Sequence, residues 1–359
     1  MAKSLKHYRE QTEKALVDLA WAQWNRLGLY GAGKASRAST DIEASIALVC
    51  LVGWLNGRLF DGALSWIHKY QDIISGERLK LFIKDIDDPF LPRCIGAMIE
   101  SAAASKDAAR WKYFLQTIKE SLTQRKNEKG TIFWYSRGRE PWTKRDATFK
   151  KWRLAKEETV FSSKLKRHDE ILRTNQQIKY RYMFGNTARA DVIYLLAVAG
   201  STGLMTADLS SLTGYNHSSV FRILKDLSQS GIVQSLGAEG SKRASWCIRP
   251  ADAVIVGSTH DSALINWKNA VPMCYALLKE MHRIESIKNE LVAKHACFSL
   301  CENALKVFRA SGFAHLPHVP AEPLENIALT DLLEILPACI KTMESMTSDG
   351  GNDESHITT

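Results

Sequence analysis

The sequence predicts a mainly α-helical protein with one small β-hairpin. Three observations point there. Apolar residues recur at three- and four-residue spacing through most of the 359 residues, which is the period of an amphipathic helix. Only residues 232–236 and 244–248 read as strands, joined by the Gly-rich loop 237–243. Helix punctuation recurs between the apolar runs, at Thr40-Asp-Ile-Glu43, Asn56-Gly57, Gly185-Asn186, Gly214, Asn216 and Gly231. The chain is 45% hydrophobic, enough to build real cores, and its length suggests two or three domains.

The elements follow in order. Residues 6–27 read as one helix, with Leu16, Leu19, Ala20, Ala22 and Trp24 supplying apolar surface. Residues 28–38 are a Gly/Ala/Ser loop. Thr40 to Glu43 reads as a capping box that opens the next helix, and residues 46–55 are apolar nearly all round, as a central helix requires. Residues 59–70 follow, with Phe60, Leu64, Ile67 and Tyr70 on one face. Residues 79–85, 92–104 and 108–122 give three more helices. Short helices on short loops predict an orthogonal bundle or a helical-repeat-like array, with no fixed period that would establish a repeat. Residues 123–168 break the pattern: Gly130, Gly138 and Pro141 punctuate them, and Trp134, Tyr135, Trp142, Phe149, Trp152 and Phe161 alternate with Lys and Arg. Helix resumes over residues 169–184. After Pro250, residues 262–284, 286–310 and 328–346 read as long helices, and 349–359 as a solvated tail.

Residues 187–250 carry the most specific pattern. A helix over 187–199 has Val192, Leu195 and Leu196 on its core edge. Leu209 and Leu212 give the next helix an apolar edge. Gly214 falls where the chain reverses, and glycine alone takes a positive φ at little cost. Asn216 is a good N-cap. Val220, Ile223, Leu224 and Leu227 then recur at helical spacing, Gly231 ends the helix, and the two strands follow, with Trp246 closing one side of a core. Over residues 187–249 the chain resembles the DNA-binding domain of bacterial winged helix-turn-helix transcriptional regulators. The resemblance implies a helix that enters the major groove N-terminus first. Its readers are then His217, Ser218, Ser219 and Arg222. Lys225 and, at the wing tip, Lys242 and Arg243 suit phosphate contacts.

Charge agrees with a polyanionic partner. The formal net charge is +9, and residues 125–181 hold 17 Lys/Arg against 7 Asp/Glu. Lys164, Lys166 and Arg167 are the candidate phosphate contacts there, while the interleaved aromatics are expected to pack the segment onto the helical domain. Seven scattered cysteines, an odd number, read as reduced thiols in a cytosol. Gly28 to Ala35 resembles a phosphate-binding loop in spacing. It lacks the hydroxyl after Lys34 and follows a helix instead of a strand. His295, Cys297 and Cys301 do not share one helix face and make no closed zinc site. No nucleophile–base set can be assembled, so the sequence predicts a protein that is not an enzyme and needs no cofactor or metal.

The expected organisation is a helical domain at 1–122, a basic aromatic-rich connector and helix at 123–186, the winged helix at 187–250, a helical and dimerising domain at 251–346, and a disordered tail at 347–359. The expected function is a cytoplasmic, sequence-specific regulator acting on double-stranded DNA as a homodimer. The rival is a protein-interaction subunit of a defence or mobile-element system, an antitoxin-type partner. There the N-terminal domain grips a protein and the winged helix serves autoregulation.

Overall fold

The computed structural model describes residues 2–31, 39–86, 88, 90–103, 108–123, 145–162, 164–237, 244–250 and 263–347. Among these residues the chain forms fifteen α-helices and one three-stranded antiparallel sheet. None of the described helices is long and apolar enough to cross a membrane.

The helical body is built on α1 (Ala2–Arg26) and α2 (Ile42–Val52). Every residue of α2 is buried, as its unbroken apolar run requires. Around it lie α3 (Gly57–Tyr70), α4 (Gly76–Asp85), α5 (Phe90–Ala103) and α6 (Ala108–Thr123). The short α7 (Ala147–Lys151) packs on α5. Two more helices, α8 (His168–Thr174) and α9 (Gln176–Phe184), lead to the next unit. The C-terminal helices α13 (Trp267–Glu285), α14 (Glu290–Ala310) and α15 (Leu329–Thr347) return to the same body. Helix α15 lies along α1, and α13 lies against α1 and α2. Residues read from sequence as two domains, 1–122 and 251–346, thus share one hydrophobic core, from Leu16, Trp24 and Ile46 to Leu277, Phe308 and Leu336.

A second, smaller core belongs to residues 180–248. Its elements are α10 (Ala188–Ala199), β1 (Leu204–Met205), α11 (Thr206–Thr213), α12 (His217–Gln229), β2 (Val233–Leu236) and β3 (Ser245–Ile248). Strand β3 lies in the middle, with Leu204 opposite Trp246 on one side and Val233 opposite Ile248 on the other. Val192, Leu196, Leu209, Val220, Leu224 and Leu227 are buried in this core, and Leu212 and Trp246 pack against it.

Local chemistry corrects three expectations. The cap of α2 is Asp41, whose Oδ1 accepts from the Ala44 N–H at 2.9 Å, and not Thr40. Glu43 makes no capping box because two guanidinium groups occupy its carboxylate. The helix expected over 169–184 is broken at Asn175, whose side chain caps α9 through the Ile178 N–H and also donates to Thr40 Oγ1 at 2.9 Å. Strand β1, two residues long, is too short for any period to reveal.

The aromatic connector packs as expected at Phe149 and Trp152 but not at Phe161, which stays 39% exposed. Phe149 and Trp152 are buried, and Trp152 lies over Gly96, where a Cβ would come within 2.3 Å of the indole ring. Its Nε1 donates to Glu100 at 2.8 Å. Trp134, Tyr135 and Trp142 lie outside the described residues, as do positions 32–38 of the glycine loop. All seven cysteines are free and buried. Burial pushes the Cys297 thiol up to about 11 and that of Cys339 to about 12, so both are neutral packing groups near pH 7. His295 is exposed, away from buried Cys297 and Cys301.

Candidate nucleic-acid interface

Helix α11 ends at Gly214, in the left-handed region with φ +77° and ψ 1°. A side chain there would be strained, and its Cβ would also meet Leu81 at 2.5 Å. The chain reverses through Tyr215 and Asn216. Asn216 Oδ1 accepts from the Ser219 N–H at 2.8 Å and opens α12. Val220, Leu224 and Leu227 point into the small core, so the opposite face of α12 is outward.

That face carries His217, Ser218, Arg222 and Lys225, all exposed. Ser219 is half-buried on the flank. The same flank holds Asp226, paired with Arg189 of α10 at 3.5 Å. Phe221 is also exposed, at 48%. It escaped the sequence reading, which followed hydrogen-bonding side chains only. Its signal was its place, four residues after His217 and four before Lys225. Lys242 and Arg243 lie outside the described residues.

The other candidate cations sit on a different part of the molecule, beside the C-terminus of α1. Lys164 is exposed, and no carboxylate among the described residues pairs with it. Lys166 is half-buried, with its Nζ donating to the Asn25 carbonyl at 3.3 Å. Arg167 pairs with Glu170 at 2.9 Å and Asp169 at 3.5 Å. Much of the basic surplus is likewise matched internally. Lys156 is buried against Asp61, and Lys151 reaches Glu100.

A buried charge network fixes α12 to the helical body. Arg181 of α9 grips Glu43 with both terminal nitrogens, at 2.7 and 2.9 Å. The same guanidinium reaches Asp191 of α10 at 3.0 and 2.9 Å. Arg78 of α4 pairs with Asp41 and Glu43 and donates to the Thr213 carbonyl at the end of α11. Tyr215, in the turn before α12, donates to Asp191 at 3.1 Å. Burial alone would raise the Glu43 carboxyl. The guanidiniums of Arg181 and Arg78 outweigh burial and hold it below its usual range. Asp41 goes the other way: burial, with Glu43 nearby, pushes its carboxyl up against the pull of Arg78. Two hydrogen bonds extend the joint, from Tyr194 to the Thr40 carbonyl at 3.1 Å and from Asn266 to Ser211 at 2.9 Å. A water-sized cavity of about 20 Å³ lies beside it, between Thr40, Asp41, Arg78, Asp191 and Tyr194. None of these partners could be paired from sequence, because Glu43 and Arg181 are 138 residues apart.

No protein-family model matches the chain, and it matches neither a curated protein nor a solved structure.

Proposed function

We propose that residues 188–248 form a winged helix-turn-helix, and that the chain is a sequence-specific, DNA-binding transcriptional regulator. The observation that carries this reading is the outward face of α12. It presents His217, Ser218, Arg222 and Lys225 to solvent while Val220, Leu224 and Leu227 anchor its back. A helix held this way, preceded by a tight turn from α11, has the form of a major-groove reader. Arg222 has the length and the paired donors to bind a guanine edge, and Lys225 suits a phosphate. Such regulators usually read two half-sites as dimers. The C-terminal helices bury their apolar faces on α1 and α2 of the same chain, so a dimer would form through other surfaces.

The test is selection of duplex sites by the full chain from a random library, followed by band shifts. Arg222→Ala is expected to lose about 1–3 kcal/mol of discrimination at the cognate site, with thermal melting unchanged. Unaltered cognate affinity in the Arg222→Ala, Ser218→Ala double variant rejects α12 as the reader.

A second role is favoured by Tyr30, Val160 and Phe161. These exposed side chains flank α3, where Phe161 stacks on His68 at 4.3 Å. A protein partner held there would make the chain an interaction subunit. That reading predicts co-purification with one specific protein and weak affinity for DNA.

A further inference from the structure

We infer that Phe221 reads a thymine, packing its ring on the C5-methyl group in the major groove. The inference rests on the DNA-reading role of α12 and specifies the base chemistry that role would recognise.

The argument starts from the neighbours of Phe221. On a helix the side chains that share its surface patch lie three and four positions away. These are Ser218, His217 and Lys225, which are polar and half- to fully exposed, and Leu224, which turns into the core. Along α12, Phe221 is therefore the one exposed large apolar side chain, and its neighbours on that helix surface are polar or cationic. A protein-docking surface needs a contiguous apolar patch, and the described residues of α12 do not form one. An isolated apolar side chain among hydrogen-bonding groups instead matches the edge of an A·T pair. There one methyl group stands beside hydrogen-bond acceptors and donors. The thymine methyl is the only apolar feature that unmodified base pairs display in the major groove.

Spacing places the contact. Neighbouring residues of a helix are separated by a rise of only about 1.5 Å and by about 100° around its axis, while base pairs rise about 3.4 Å. Phe221 and Arg222 of α12 therefore reach into one short stretch of groove. The thymine lies in the same half-site as the base that Arg222 addresses.

The experiment uses the full chain and a duplex it selects from a random library. Each thymine is replaced in turn by deoxyuridine, which removes the C5-methyl and nothing else. At one position of the half-site, wild-type affinity is expected to fall about fourfold, the worth of one buried methyl group. Phe221→Ala is expected to bind the thymine and uracil duplexes alike and to melt like the parent. A specifically bound duplex with no uracil-sensitive position overturns the inference and leaves the DNA reading standing. So does equal sensitivity in wild type and Phe221→Ala. Failure to select any sequence overturns the DNA reading itself. Loss of self-association in Phe221→Ala, with its uracil profile unchanged, makes Phe221 a protein contact and also overturns the inference.

Discussion

Glu43 is the residue on which the joint turns, since it answers two guanidinium groups and the Ser75 N–H from inside α2. Removing one member of a buried ion network leaves its partners unpaired, which costs about 3–5 kcal/mol. Glu43→Gln is expected to lose that much in urea denaturation. The pH dependence follows from linkage. Glu43 is held below its ordinary 4.5 in the fold, so its contribution is present above that value and is lost as pH falls through the lower one. Asp41 is raised above its ordinary 3.8, so its contribution is present below 3.8 and lost as pH rises. Relative to wild type, Glu43→Gln should therefore be worst at neutral pH and recover in acid. Asp41→Asn keeps its cap to Ala44 and should fare better the higher the pH. Arg78 pairs with both carboxylates and Arg181 with Glu43, and both guanidiniums also reach Asp191, which accepts from Tyr215, so unfolding midpoints read over about pH 3 to pH 7 report the network as a unit. Among the surface cations, Lys164→Ala should flatten the slope of log affinity against log salt by about 0.9. Arg167→Ala should change it little, because Asp169 and Glu170 already neutralise that side chain.

Helix α12 is the element whose register can be tested most sharply. Leu224 is fully buried, with Val220 and Leu227 beside it. Leu224→Ala is expected to cost about 2–5 kcal/mol by leaving a cavity and to weaken DNA binding, because the outward face loses its support. Gln229→Ala, on the exposed side, should do neither; thermal melts and band shifts on the two variants decide it. This element was legible because its apolar residues repeat at helical spacing and because Gly214 and Asn216 are residue types that a turn and a cap demand. The break between α8 and α9 was not legible. Asn175 there is held by Thr40, a contact across 135 residues, and local propensity carries no trace of it. Ser219 shows the limit within a legible helix. Sequence placed it with the readers, but its position turns toward the Asp226 flank, where it is half-buried.

At the scale of the molecule, the N-terminal and C-terminal helices complete one core. Sequence periodicity showed that these helices were amphipathic and could not show which would meet. A fragment of residues 1–122 is therefore expected to lack a cooperative thermal transition, because α1 and α2 would expose the faces that α13 and α15 cover; calorimetry on the fragment checks this. The order of elements also has a consequence in time. Helix α15 begins about 300 residues after α1 ends, and ribosomes add about 5–20 residues per second. A nascent α1 thus waits about 15–60 s for its main partner, while every element of the 188–248 unit has already been translated. During synthesis the head is complete before the body that will carry it. The exposed apolar face of α1 is a surface that a chaperone would meet, and a prematurely terminated chain would carry a finished head on an open body.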